Sequence, residues 1–352
     1  MRLPSLEALA TAARRTLARF PTVLLAAAVA AVAGVVVVEG AEAAVEDEFW
    51  YRFFGTAALA IPLFIAIDLF AERRRWPSAV RVGLWLAGAA VLAGFMILWY
   101  DWSAPVAAAR YVTLGAAFHL LVAFAPFSGV GQVQGFWQYN KTLFLRALTG
   151  AIFTVVLYAG LAVALLAVDN LFGLDVPGQR YAQLWIVLVF VFNTWFFLGG
   201  LPESLDELEQ RSDYPTGLKV FAQYVLVPLV IVYLVILTLY LGKVLLTQEW
   251  PSGWIGWLVS SVAAAGIFSL LLVHPIAEQA ENRWMRTYAR GFYLAILPSI
   301  VMLWLAIWKR VDQYGMTERR YFLTVLSVWL AAIALFYALR RSRDIRIIPA
   351  SL

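Results

Sequence analysis

The chain carries two histidines, His119 and His274, and no cysteine among its 352 residues. Thiol catalysis, disulfide frameworks and cysteine-based zinc sites are therefore excluded. His274 and Glu278 stand four apart, as on one helical face, but Pro275 lies between them and no second histidine is near. No metal set is expected. What remains is the handful of polar residues inside apolar runs, where charge is costly and therefore functional by default. Asp68 precedes the triplet Arg73-Arg74-Arg75 by about a turn and a half. Arg110 and His119 share one apolar run, roughly 13 Å apart along a helix. With Asn193 they form a candidate intramembrane polar site, and proton relay or anion passage is the chemistry it could do. Each residue also has a plainer role: Asp68 pairs with the arginine triplet, His119 bonds a neighbouring helix, and Asn193 ties helices together. Gly129-Val-Gly131-Gln-Val-Gln-Gly135 has neither the G-x-G-x-x-G spacing nor a P-loop lysine. No catalytic residue and no cofactor are expected, and an enzyme is not the favoured reading.

These residues must be held by membrane helices. The composition is 63% hydrophobic and 14% charged, far from the soluble balance of roughly 45–50% and 25%, and the mean hydropathy is +0.79. Apolar runs near residues 20–38, 53–71, 82–100, 105–127, 143–168, 182–201, 220–247, 254–274, 291–308 and 321–339 predict an all-α, polytopic transmembrane helix bundle of about ten spans. The first run follows Arg2, Arg14, Arg15 and Arg19, and its length suits a retained signal-anchor helix. With the N-terminus inside, connections on the cytoplasmic side hold 19 Lys and Arg and outer ones hold 7. That bias places both termini in the cytoplasm. Trp50, Tyr51, Trp99, Tyr100, Trp102, Trp250 and Trp254 fall at the outer ends, where amphipathic rings favour the headgroup region.

No connection is long enough for a folded domain, so residues 1–352 are expected to form a single integral membrane domain. In the longest connection, Leu201, Leu205 and Leu208 alternate with Glu203, Asp206, Glu207 and Glu209, which predicts a short helix with an acidic outer face in water. The net charge of +5 is an ordinary positive-inside surplus, so nucleic acid is not an expected partner. The lipid bilayer is, and a protein partner or a second copy of the chain fits the same picture.

One loop breaks the charge bias. Lys309 to Arg320 carries four positive charges on the expected outer side. Gly315 permits a tight turn there, Thr317 suits an N-cap, and Glu318 suits the first turn of the next span. Capping leaves Arg319 and Arg320 unexplained; with Tyr314, Gly315, Thr317 and Glu318 they form a candidate site for an anion, a lipid or a partner. Tyr314-Gly-Met-Thr-Glu-Arg-Arg-Tyr321 resembles the signature of the DUF4153 family of bacterial multi-pass membrane proteins, whose role is not established. Phe136-Trp-Gln-Tyr-Asn-Lys-Thr-Leu-Phe144, Tyr214-Pro-Thr-Gly-Leu-Lys-Val-Phe-Ala-Gln-Tyr-Val-Leu-Val-Pro228 and Trp250-Pro-Ser-Gly-Trp254 are similar to it as well. The resemblance implies a multi-pass protein of the bacterial inner membrane, with members that continue past Leu352, and it supplies no catalytic residue. Two functions compete: transport of a small solute or ion, and a membrane scaffold or envelope sensor that docks partners or lipids. A lipid-handling enzyme ranks third, since no base or nucleophile accompanies the arginines.

Overall fold

The computed structural model describes residues 6–42, 48–98, 105–129, 131–247, 254–277, 283–340 and 344–352. Trp99, Tyr100, Trp102, Trp250 and Glu278 lie outside the described residues. Ten helices are long and apolar enough to cross a membrane, and there is no strand among the described residues. The protein is a multi-pass helical membrane protein. Its chain forms two compact units, Met1–Arg211 and Ser212–Leu352.

In the first unit, α1 (Leu6–Arg19) runs into α2 (Pro21–Glu42) through a break at Phe20, where the following proline disfavours helical backbone. The Ala- and Val-rich α2 packs against α3 (Glu48–Arg73), since small residues let membrane helices approach closely. α4 (Ser78–Leu98) and α5 (Pro105–Phe124) both lie on α3. Ala26, Leu59, Ala60, Leu63, Leu92 and Phe118 form the shared core. α4 buries only Gly88 and Leu92; a Cβ on Gly88 would sit 2.9 Å from Ile67, so the glycine is what allows that approach.

α6 (Val133–Phe172) is 40 residues long, about 60 Å against a hydrocarbon core of about 30 Å. Its predicted apolar run begins at residue 143, yet the helix starts ten residues earlier. Gln138, Asn140 and Lys141 interrupt the hydropathy there without interrupting the helix. α7 (Gln179–Val187) and α8 (Thr194–Leu198) are one span with a π-turn at Leu188–Asn193 between them, and this span packs on α2.

In the second unit, α9 (Thr216–Phe221) and α10 (Val227–Thr247) are joined by a π-turn at Ala222–Leu226. Pro228 lacks an N–H and its ring crowds the carbonyl one turn earlier, which the wider turn relieves. α11 (Trp254–Val273) follows. The predicted span at 291–308 is two helices, α12 (Arg283–Ala295) and α13 (Leu297–Tyr314), broken beside Pro298. α14 (Glu318–Arg340) and the short α15 (Ile347–Ser351) complete the unit. Trp304 Nε1 donates to Ser327 Oγ at 2.9 Å and ties α13 to α14. Tyr293 and Tyr337 stack at 4.8 Å, joining α12 to α14.

Candidate functional site

Asp68 is fully buried near the end of α3. Arg81 Nε and Trp85 Nε1, one turn apart on α4, each donate to its Oδ1 at 2.8 Å, and Thr22 of α2 donates to Oδ2 at 3.5 Å. The expected partner, the arginine triplet, is not the one found. Arg73 is five residues on and faces away from Asp68, whereas the turn after α3 brings Arg81 back over it. One helical turn beyond Asp68, Glu72 takes both Nε and Nη2 of Arg19 at 2.9 Å, a bidentate pair. Arg19 Nη2 also donates to the carbonyl of Pro202 at 2.7 Å. Arg81 in turn donates to the carbonyl of Arg19. Two interlocked ion pairs thus tie α1, α2, α3, α4 and the start of the acidic connection at one end of the unit.

That connection is not the predicted helix. It is an irregular segment closing in a 3-10 turn at Glu207–Gln210. The leucine spacing nevertheless marks burial correctly: Leu201, Leu205 and Leu208 are all buried. Nor do the carboxylates simply face water. Asp206 pairs with Arg73 and with Arg75, the latter at 2.7 Å, and Glu209 accepts the backbone N–H of Gly135 at 2.6 Å. Gln138, buried at the start of α6, donates to the carbonyl of Arg211 at 3.2 Å. The acidic segment is an internal clasp across the arginine-rich end.

The four intramembrane candidates do not converge. Asp68 bonds Arg81, Trp85 and Thr22, and none of the other three. Arg110 is the sixth residue of α5 and His119 the sixth from its end, so each lies about 8 Å from a terminus of the helix. Both are exposed on the outside of the unit, and Nδ1 of His119 is satisfied by the carbonyl of Gly115 at 2.7 Å. An arginine at that depth reaches the interface with its own side chain. Asn193 packs against Gly150 of α6, where a Cβ would lie 2.5 Å from its Oδ1, and that oxygen has no donor among the described residues.

The tip between α13 and α14 separates the two arginines. Gly315 caps α13 with φ +72°, its N–H donating to the carbonyl of Val311 at 2.8 Å. The carbonyl of Thr317 accepts from Tyr321 at 2.9 Å and Glu318 opens α14. Arg320 turns inward, donating to the carbonyl of Gly315 and lying over the ring of Tyr314. Arg319 is exposed and makes no hydrogen bond or ion pair among the described residues. In the same tip Tyr314, Met316 and Tyr321 are exposed by 73, 57 and 56%, and Trp308, six residues before Tyr314 on α13, by 75%.

A model of the DUF4153 family, described as a domain of unknown function, matches residues 14–352. The chain belongs to the DUF4153 family. "Uncharacterized protein PM1469" of Pasteurella multocida (strain Pm70) is 27% identical over 214 residues, 59% of this chain and 36% of that protein. The chain thus spans about a third of the length of the curated relative it matches. No solved structure matches. Two of the stretches that resemble the DUF4153 signature fall on the features just described, the buried start of α6 and the tip after α13.

In this DUF4153 member, Glu72 and Arg81 are members of the ion-pair cluster that sequence reading passes over. Their signal is present in the paired spacings Asp68/Glu72 and Arg81/Trp85, four apart on facing helix ends. The partner of Glu72 is not signalled, because Arg19 lies 53 residues away. The clasp also predicts a pH dependence. Hydrogen bonding by Arg75 holds the carboxyl of Asp206 below the usual carboxylate range. A lowered folded pKa gives stability that is present above the unfolded value of about 4 and is lost as pH falls through the folded one. The thermal-melting advantage of the wild type over Asp206→Asn should therefore shrink below about pH 4 and stay constant from there to neutrality.

Proposed function

We propose that the protein is a scaffold subunit of the bacterial inner membrane that docks a protein partner through the tip between α13 and α14, with both termini in the cytoplasm. The observation that carries this reading is the exposed Arg319, without a hydrogen bond or ion pair among the described residues, in a tip whose Tyr314, Met316 and Tyr321 are exposed, with exposed Trp308 further along α13. Trp, Tyr, Met and Arg are the residue types enriched at the centres of protein interfaces. A docking role also accounts for a basic loop on the outer side, where the charge bias disfavours one. Orientation rests on that bias, and the basic residues of the inner connections in the first unit do gather at one end: Arg19, Arg73, Arg75 and Arg81 are joined there through Glu72, Asp206 and Asp68. Transport of a small solute or ion draws no such support, since Asp68, Arg110, His119 and Asn193 sit in separate environments.

The two arginines should behave differently. Arg319→Gln is expected to abolish partner association, read as the size of the complex extracted from native membrane, and to leave the melting temperature unchanged. Arg320→Gln is expected to lower the melting temperature by loosening the turn. Equal effects of the two on complex size, with no effect on melting, would contradict the reading.

A further inference from the structure

A cleft of about 330 Å³ enters the first unit between α4 and α5 along the face of α3. Leu63, Ile67, Leu84, Leu121 and Phe124 line it, and at its arginine-rich end the lining is Phe70 and Ser128. Arg74 closes that end. It donates from Nη2 to Ser128 Oγ at 3.1 Å and lies over the ring of Phe70 at 5.4 Å. Trp76 meets the other edge of Phe70 at 5.1 Å, an indole at interfacial depth.

The charge of Arg74 is what sets this mouth apart. Arg19, Arg73, Arg75 and Arg81 all face carboxylates, while Arg74 is exposed and, among the described residues, has only a hydroxyl as hydrogen-bond partner. A second and larger apolar groove, about 540 Å³ between α2, α3 and α4, has Trp85 at its corresponding end. There the nearby Arg81 is already committed to Asp68 and to the Arg19 carbonyl. Of these two, the smaller cleft combines an apolar slot with a guanidinium that has no carboxylate partner among the described residues.

We propose that this cleft binds an anionic phospholipid from the bilayer, one acyl chain lying against α3 and the headgroup phosphate held by Arg74 and the hydroxyl of Ser128. A guanidinium recognises phosphate through parallel N–H donors, and a single such contact at a membrane surface favours an anionic lipid by about fivefold. The slot supplies the hold on the chain and the arginine supplies the preference for charge. This site is independent of the docking tip in the second unit.

Native mass spectrometry of the full chain, equilibrated with equal dioleoyl phosphatidylglycerol and dioleoyl phosphatidylcholine, tests it. The wild type should retain the anionic lipid about fivefold over the zwitterionic one. Arg74→Gln should equalise the two, Arg74→Lys should keep part of the preference, and all variants should keep the wild-type melting temperature. Leu121→Trp, at a position that is 42% exposed and so has room to fill the slot, should remove both lipids. Millimolar inorganic phosphate should not displace the bound lipid. The proposal is overturned if the wild type shows no preference, if Arg74→Gln keeps it, or if phosphate competes fully and Leu121→Trp has no effect. The last result would mark a simple anion site.

Discussion

Replacing Asp68 by alanine is expected to destabilise the protein by about 3 kcal/mol, the low end of the range for removing one member of a buried ion pair. The carboxylate is fully buried and its partner Arg81 has a side chain 25% exposed, so water offsets part of the loss on the arginine side. Alanine would leave the Arg81 guanidinium and the Trp85 indole N–H without their acceptor, and the unpaired donors, more than the lost attraction, set the cost. Asp68→Asn keeps an acceptor oxygen and should lose about half as much. Because Arg81 also holds the Arg19 carbonyl, the loss should spread to the pair of Arg19 with Glu72. A double-mutant cycle of Asp68→Ala with Glu72→Ala should then show coupling of about 1 kcal/mol or more. Thermal unfolding in detergent reads both quantities. A stable Asp68→Ala variant would mean that the cluster is not what joins the helix ends.

The second large effect is expected at Gly266. A Cβ there would stand 2.0 and 2.1 Å from two ring atoms of Phe292, which is itself only 3% exposed on α12. The ring is rigid and enclosed, so the neighbour cannot give way as a flexible side chain would. The same turn of α11 carries Ser269, whose hydroxyl donates to the carbonyl of Gly266 at 2.6 Å and also meets the hydroxyl of Tyr288. Pushing α11 off α12 would break that bond along with the packing. Gly266→Leu should cost about 3 kcal/mol, the upper part of the range for overpacking, and should be seen as a sharp fall in folded protein recovered from membranes. Gly94→Leu, where nothing lies within 4 Å of the added Cβ, is the matched control and should be tolerated.

The spans were legible because hydrocarbon imposes one rule on every residue of a crossing helix, and ten apolar runs satisfy it. Helix ends were not. Val133 to Thr142 continues as helix through Gln138, Asn140 and Lys141, which hydropathy treats as an end. Arg110 and His119 were legible as two polar residues of one helix, but not that both are exposed on it. Spacing in the acidic connection identified the leucines that are buried, since positions four and three apart share a side of any compact turn. It misread the backbone, which is irregular but for the 3-10 turn at Glu207–Gln210 and is tied down by Arg73, Arg75 and Gly135. Of the polar residues, Asp68 was recognisable by its cost in lipid. Its partner Arg81 required knowing how tightly the chain turns after Arg75, whose φ is +52°. At the tip, type and sequence marked the whole loop, but only the fold separates Arg320, which bonds within the turn, from Arg319, which is exposed.

The most direct test of the docking role is in-cell photocrosslinking from Met316, the exposed apolar residue at the crest of the tip, with exposed Leu335 on α14 as the control position. The account predicts one discrete protein adduct from Met316, none from Leu335, and loss of the Met316 adduct in the Arg319→Gln background. Adducts of lipid mass alone from Met316, or a protein adduct that persists unchanged with Arg319→Gln, would contradict it.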